Sequence, residues 1–164
     1  MAKIVATDGL SADAVSLLER NGHEVLIKYF TPDELNSGVL SDFDGVIVRS
    51  ATKLNAKVIA ASEGLRVIAR AGVGVDNIDL DAAGNAGIPV VNAPIASTQS
   101  VVELTIAHLL TSVRKVAVSD RSMRQGKWEK KAMKGSELHG KNLGLVGFGR
   151  IAQGVGAVAQ ALGM

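Results

Sequence analysis

The stretch LRVIARAGVGVDNIDLDAAGNAGIPVVNAP, residues 65 to 94, holds two short β-branched runs on either side of a glycine-rich loop and a helical segment. Leu65 to Arg70 and Pro89 to Asn92 are short and bounded by Gly or Pro, so they read as strands rather than buried helices. Asp79 to Asn85 between them reads as a helix. A strand, a helix and a second strand over this length make a βαβ unit, and that unit commits the chain to a parallel sheet.

The same alternation extends back to the amino terminus. Lys3 to Thr7 (KIVAT), His23 to Lys28 (HEVLIK) and Gly45 to Val48 (GVIV) are further strands, which makes five. Ser11 caps a helix through Asn21 with Val15 and Leu18 facing inward, and Gly22 ends it. Thr31-Pro32-Asp33-Glu34 places a cap, a first-turn proline and two acids where a helix N-terminus favours them, and Asn55 to Ala61 is another helical stretch. The fold class is therefore α/β, with residues 1–96 forming a parallel sheet covered on both faces by helices.

From Ser97 the pattern changes. Ser100 and Glu103 fit a capping box, and Val102, Ile106, Leu109, Leu110, Val113 and Ala117 keep helical spacing for about five turns. This long helix carries the chain from a hinge at Ala93-Pro94 into a second domain, residues 97–164. Gly126 to Lys141 is a polar connector. Asn142 to Val146 reads as a strand that runs into Gly147-Phe148-Gly149-Arg150-Ile151-Ala152 and a helix rich in small residues.

Composition bounds the function. With 164 residues, 47% hydrophobic and 21% charged, the chain has apolar content enough for a core, and its formal charge is +2. The basic cluster KWEKKAMK, Lys127 to Lys134, reads as a solvated connector; one Trp among a few Lys is no stacking groove, so no nucleic-acid partner is expected. The absence of cysteine excludes disulfides and thiolate metal sites, and no metal is expected. MAKIVATDGL is too weak for a signal peptide, and no run approaches ~20 apolar residues. The expectation is a cytoplasmic protein with no membrane partner.

Three segments could carry chemistry. Gly147 to Ala152 matches G-x-G-x-x-G/A between a strand and a helix, with Gly147 for a tight turn, Gly149 for the approach of a pyrophosphate and Ala152 for close helix packing. The same turn also occurs in other α/β folds, including those that bind S-adenosylmethionine. Arg70 to Asp79 (RAGVGVDNID) starts at a strand's carboxyl end, where ligands of open parallel sheets bind, and its two glycines let backbone amides face an anion. Arg49-Ser50-Ala51-Thr52 follows GVIV at the same edge and suits a phosphate or carboxylate. Against these stand plainer roles: Gly72 and Gly74 as turn formers, Asp76 or Asp79 as a helix cap, Arg49 as a surface residue.

RSATK at 49–53, RAGVGVDNIDL at 70–80, VVNAP at 90–94, SVVELTIAHLL at 100–110 and GKWEKKAMKGSELHGKNLGLVGFGRIAQ at 126–153 together resemble the D-isomer-specific 2-hydroxyacid dehydrogenases, over the whole chain. The resemblance implies a flavodoxin-like substrate-binding domain over residues 1–96, followed by the start of a Rossmann domain that binds NAD and carries a homo-oligomer interface in the 97–140 region. It implies substrate contacts at Arg49, Ser50, Gly72, Val73, Gly74 and Asn77, cofactor contacts at Val73, Gly147, Gly149, Arg150 and Ile151, and a phosphorylated 2-hydroxy acid as substrate. The family's ribose-binding Asp, its carboxylate-binding Arg and its Glu and His acid/base pair lie further along a chain of about twice this length. The implication is an N-terminal portion, inactive by itself. His23, His108 and His139 read as structural or solvated residues and not as replacements. The alternative is a non-catalytic acid-binding, dimerisation or regulatory module.

Overall fold

Strands β1 (Lys3–Ala6), β2 (Glu24–Ile27), β3 (Gly45–Val48), β4 (Val67–Arg70) and β5 (Val90–Asn92) pair in the order β2-β1-β3-β4-β5, and every pairing is parallel. The chain steps from β1 out to β2, crosses back to β3 and continues to β5, so the strand order reverses between β1 and β3. This is the flavodoxin-like order that the family resemblance implies. The computed structural model describes residues 1–164, which divide into two units, Met1–Ala96 and Ser97–Met164.

In the first unit the crossovers are α1 (Ala12–Arg20), α2 (Pro32–Asn36), a 3-10 turn (Val39–Asp42), α3 (Ala56–Ala60) and α4 (Leu80–Asn85). Their starts follow local chemistry. Ser11, Thr31, Asn55 and Asp79 each accept a backbone N–H from the first turn, and Thr31 with Glu34 closes a full capping box. The 3-10 turn, which the sequence did not announce, begins at Gly38 with φ +87, where a Cβ would also lie 2.7 Å from the Ala61 carbonyl oxygen.

The core sits around the central strands. Val5, Val46, Val48 and Ile68 are buried with Leu40, Leu54 and Val58, and the Phe30 and Phe43 rings meet at 6.4 Å between centroids. The edges differ: β2 and β5 contain no buried residue and α1 buries none, although Val15 and Leu18 are half-buried. Coverage on both faces therefore holds for the central strands and not for the edges.

The second unit contains α5 (Thr98–Arg114), α6 (Val116–Arg124) and α7 (Arg150–Ala161). Val102 and Ile106 of α5 bury against Val155 of α7, with Leu110, Leu143 and Leu162 packed beside them. Gly154 permits this approach, since a Cβ there would stand 2.7 Å from a Val102 methyl.

Three sequence expectations for this unit fail. The capping box at Ser100 and Glu103 is absent: α5 begins at Thr98, so Ser100 lies inside the first turn and Glu103 accepts from the Gln99 side chain at 2.8 Å. The long helix is two helices, because Lys115 adopts φ 54 and ψ 35, which ends α5 and places Ala117 in α6. The Lys115 ammonium donates to the Ala132 carbonyl at 3.0 Å, a partner far in sequence that anchors the break. Finally, Asn142 to Val146 forms no strand, because no segment of the unit pairs with it. Its Val146 is fully exposed.

Replacement of Ile68, which is fully buried, by Ala is expected to cost about 2–5 kcal/mol in urea unfolding. Val91→Ala on the exposed edge strand is expected to stay within about 0.5 kcal/mol, and equal losses at both positions would contradict the assignment of the core.

Candidate functional site

Register decides which loops meet. Ala6 pairs with Ile47, Val48 with Arg70, and Arg70 with Asn92, so the loops after β1, β3, β4 and β5 all leave one edge of the sheet. Neighbouring strands lie about 4.8 Å apart. Between β1 and β3 the strand order reverses, and it is at such a crevice that open parallel sheets bind ligands.

Asp8, the second residue after β1, reaches across that crevice. Its carboxylate accepts the Arg49 N–H at 2.7 Å, the Thr52 N–H at 3.1 Å and the Thr52 hydroxyl at 2.6 Å. On the other side, the Asn77 Nδ2 donates to the Arg49 carbonyl at 2.8 Å and to the Thr52 carbonyl at 2.7 Å. Both Asn77 amide hydrogens are thereby used. Backbone bonds between Leu54 and the Asn77 and Asp79 residues complete the attachment. Partial burial alone would raise the Asp8 carboxyl, but the Thr52 hydroxyl and the Thr52, Arg49 and Ala51 amides outweigh it and hold the group below its ordinary value.

The loop after β4 is fixed in a similar way. Ala71 N–H donates to the Val48 carbonyl at 2.9 Å, Ala93 N–H to the Gly72 carbonyl at 2.9 Å, and the Asn92 amide to the Val73 carbonyl at 2.6 Å. Gly72 spends its own N–H on the Arg70 carbonyl at 2.8 Å. The N–H groups of Val73 and Gly74 have no partner in the chain, and both residues are exposed. A Cβ at Gly72 would overlap the Arg70 guanidinium, which folds over it. Arg49 and Ser50 are exposed on the neighbouring loop, and Arg49 makes no ion pair. The edge thus presents two free amides, with the Arg70 guanidinium over Gly72 and the exposed Arg49 side chain on the neighbouring loop, groups suited to an anion with more than one charged group.

Of the positions expected to touch substrate, Arg49, Ser50, Val73 and Gly74 present unengaged groups at this edge. Gly72 shapes the loop, and Asn77 is occupied in holding it. Asp79 caps α4 through the Ala82 N–H at 2.9 Å. The histidines stand elsewhere: His23 precedes β2, at the opposite end of the strands, His108 is exposed on α5, and His139 is exposed in the connector. Sequence reasoning missed Asp8 and Asn92, whose partners lie 41 to 44 and 19 residues away. The available signal for Asp8 was its place directly after the first strand, beside the switch point.

In the second unit, Gly147 has φ +86 and Gly149 is the N-cap of α7 without any side-chain cap. A Cβ at either glycine would meet nothing within 4 Å, so the space over the turn is open. The Gln153 side chain braces the turn by donating to the Phe148 carbonyl at 3.0 Å. The start of a 12-residue helix with no side-chain cap, beside open glycines, fits a dinucleotide pyrophosphate. Ile151 is exposed and Ala152 half-buried. The close packing that the motif reserves for its last position falls instead to Gly154 against Val102 and to Gly156, where a Cβ would lie 3.7 Å from a Leu145 methyl.

Residues 4–161 match the family described as D-isomer specific 2-hydroxyacid dehydrogenase, catalytic domain, and the chain belongs to that family. It is 47% identical to a D-3-phosphoglycerate dehydrogenase of Methanocaldococcus jannaschii over 100% of this chain and 31% of that one. It is 45% identical to a hydroxypyruvate reductase of Thermotoga maritima over 99% of this chain and 53% of the relative. Among solved structures, the NAD+-bound 3-phosphoglycerate dehydrogenase of Entamoeba histolytica superposes with a TM-score of 0.75 at 33% identity, covering 99% of this chain and 52% of that one. The chain spans about a third to a half of the length of these proteins. No helix is long and apolar enough to cross a membrane.

Thr52→Val removes the 2.6 Å hydroxyl bond to Asp8 at nearly constant volume and is expected to cost about 1–2 kcal/mol near neutral pH. Because folding lowers the Asp8 pKa, the stability linked to its ionisation is complete above the ordinary carboxylate value and disappears as pH falls through the folded-state value. The deficit of Thr52→Val should therefore shrink in acid, and carboxyl NMR should show its Asp8 titrating higher than in the unsubstituted chain. An unchanged Asp8 titration would contradict the clamp.

Proposed function

We propose that the chain supplies the substrate-anion site and the cofactor-pyrophosphate site of a NAD-dependent D-3-phosphoglycerate dehydrogenase, an oxidoreductase of serine biosynthesis. The observation that carries this reading is the pair of unpartnered Val73 and Gly74 amides beside Arg49 and Arg70. Backbone amides suit the carboxylate of a 2-hydroxy acid, and a guanidinium suits its phosphate. Ser50 adds a hydroxyl next to Arg49. The identity to the archaeal D-3-phosphoglycerate dehydrogenase supports the choice of substrate, and Arg49 favours a phosphorylated acid over the unphosphorylated substrate named for the Thermotoga relative.

In this reading residues 1–96 are the substrate-binding domain and residues 97–164 begin the NAD-binding domain. Gly147, Gly149, Arg150 and Ile151 face the pyrophosphate, and Val73 borders the nicotinamide without offering a hydroxyl. NAD supplies the hydride acceptor when bound. The part of this chain is to bind and orient the acid, since oxidation of its hydroxyl also requires a base and no histidine stands at the binding edge. The 164 residues alone then bind both ligands without turnover. Exposed Leu104, Val116, Val118 and Trp128 support a homo-oligomer through the 97–140 region, and a cytoplasmic location fits the metabolic role.

Calorimetry tests this directly. D-3-phosphoglycerate should bind the chain, and Arg49→Ala should weaken it about tenfold or more while D-glycerate changes less than about twofold. Gly149→Val should abolish NAD binding, and no NADH should form in any mixture. Failure to bind the phosphorylated acid, or NADH production by the purified chain, would overturn the reading.

A further inference from the structure

We infer that Asp8 is a positioning residue for anion recognition: its carboxylate, opposed by the Asn77 amide, fixes the backbone of Arg49 so that the guanidinium is presented to the substrate from a rigid loop. This inference rests on the proposed reading of the Arg49 edge as the substrate-anion site.

The geometry at Arg49 is two-sided. Its N–H is held by the Asp8 carboxylate at 2.7 Å and its carbonyl by the Asn77 Nδ2 at 2.8 Å. Three residues on, Thr52 is held in the same way, through its N–H and hydroxyl by Asp8 and through its carbonyl by Asn77. Both peptide groups flanking the Arg49 α-carbon are therefore tied down, while the side chain is exposed and without an ion pair. Five hydrogen bonds on the loop that carries one exposed cation are an odd arrangement for a surface arginine with no ligand. They are what an anion receptor gains from: ordering the loop before the ligand arrives removes an entropic cost of binding.

A short side chain ending in two acceptors suits this task. One Asp8 side chain takes three donors, the Arg49 N–H, the Thr52 N–H and the Thr52 hydroxyl. One of its oxygens takes both N–H groups and the other takes the hydroxyl; an asparagine could keep its oxygen on the two N–H groups and turn its NH2 to the Thr52 hydroxyl, so alanine is the substitution that removes the clamp. The location adds to the case, since Asp8 spans the crevice between β1 and β3 where the strand order reverses. A ligand at that switch point meets the loop that Asp8 sets.

A double-mutant cycle on the full chain decides the matter, with Asp8→Ala, Arg49→Ala and the double variant titrated calorimetrically with D-3-phosphoglycerate and D-glycerate. Asp8→Ala should weaken D-3-phosphoglycerate about tenfold and D-glycerate less than about twofold, and should have no further effect once Arg49 is Ala. Amide exchange should show Arg49 and Thr52 losing protection in Asp8→Ala while the Val46 and Ile68 amides keep theirs. An Asp8→Ala effect undiminished in the Arg49→Ala background, or Arg49 protection equal to that of the unsubstituted chain, overturns the inference. If the unsubstituted chain binds no D-3-phosphoglycerate, the functional reading falls first, and the amide exchange still reports whether Asp8 holds the loop.

Discussion

The parallel register of the sheet is the constraint from which the rest follows. Because Ala6 is opposite Ile47, Val48 opposite Arg70 and Arg70 opposite Asn92, four consecutive loops leave the sheet at one edge and their side chains come within reach of each other. A slip of one residue would turn Val46 and Val48 out of the core. The hydrophobic pattern that buries those valines is thus the same fact that brings Asp8, Arg49 and Gly72 together.

What the edge then does is set by how its hydrogen bonds are allotted. Asp8, Asn77 and Asn92 spend their side-chain groups on loop backbone, and the groups left over are the Val73 and Gly74 amides and the guanidinium of Arg49. A loop whose internal demands are met by neighbours can leave selected donors free without collapsing onto them. In the second unit the division is similar. Gly154 and Val155 pack α7 on α5, and the glycine turn ahead of α7 keeps its N–H groups open.

Much of the first unit was legible in the sequence because its signals are local. KIVAT, GVIV and PVVN are β-branched runs between turn residues, and Thr31 and Asn55 announce their helices within three residues. The substrate edge was legible as a set of loops after strands. Its wiring was not: Asp8 and Arg49 are 41 residues apart, and nothing in TDG indicates which loop the carboxylate will hold. In the second unit, the stretch RKVAV carries no Gly or Pro to mark the break at Lys115, whose left-handed backbone is stabilised by a contact with Ala132. LGLV has the composition of a strand, but a strand is completed by a neighbour, and the unit offers none.

Amide correlation spectra of the chain, titrated with D-3-phosphoglycerate, bear most directly on the central claim. The account predicts that the first and largest shifts fall on the Val73 and Gly74 amides, with smaller ones along Arg49 to Thr52. Shifts that leave Val73 and Gly74 untouched, with saturation reached at other residues, would contradict it.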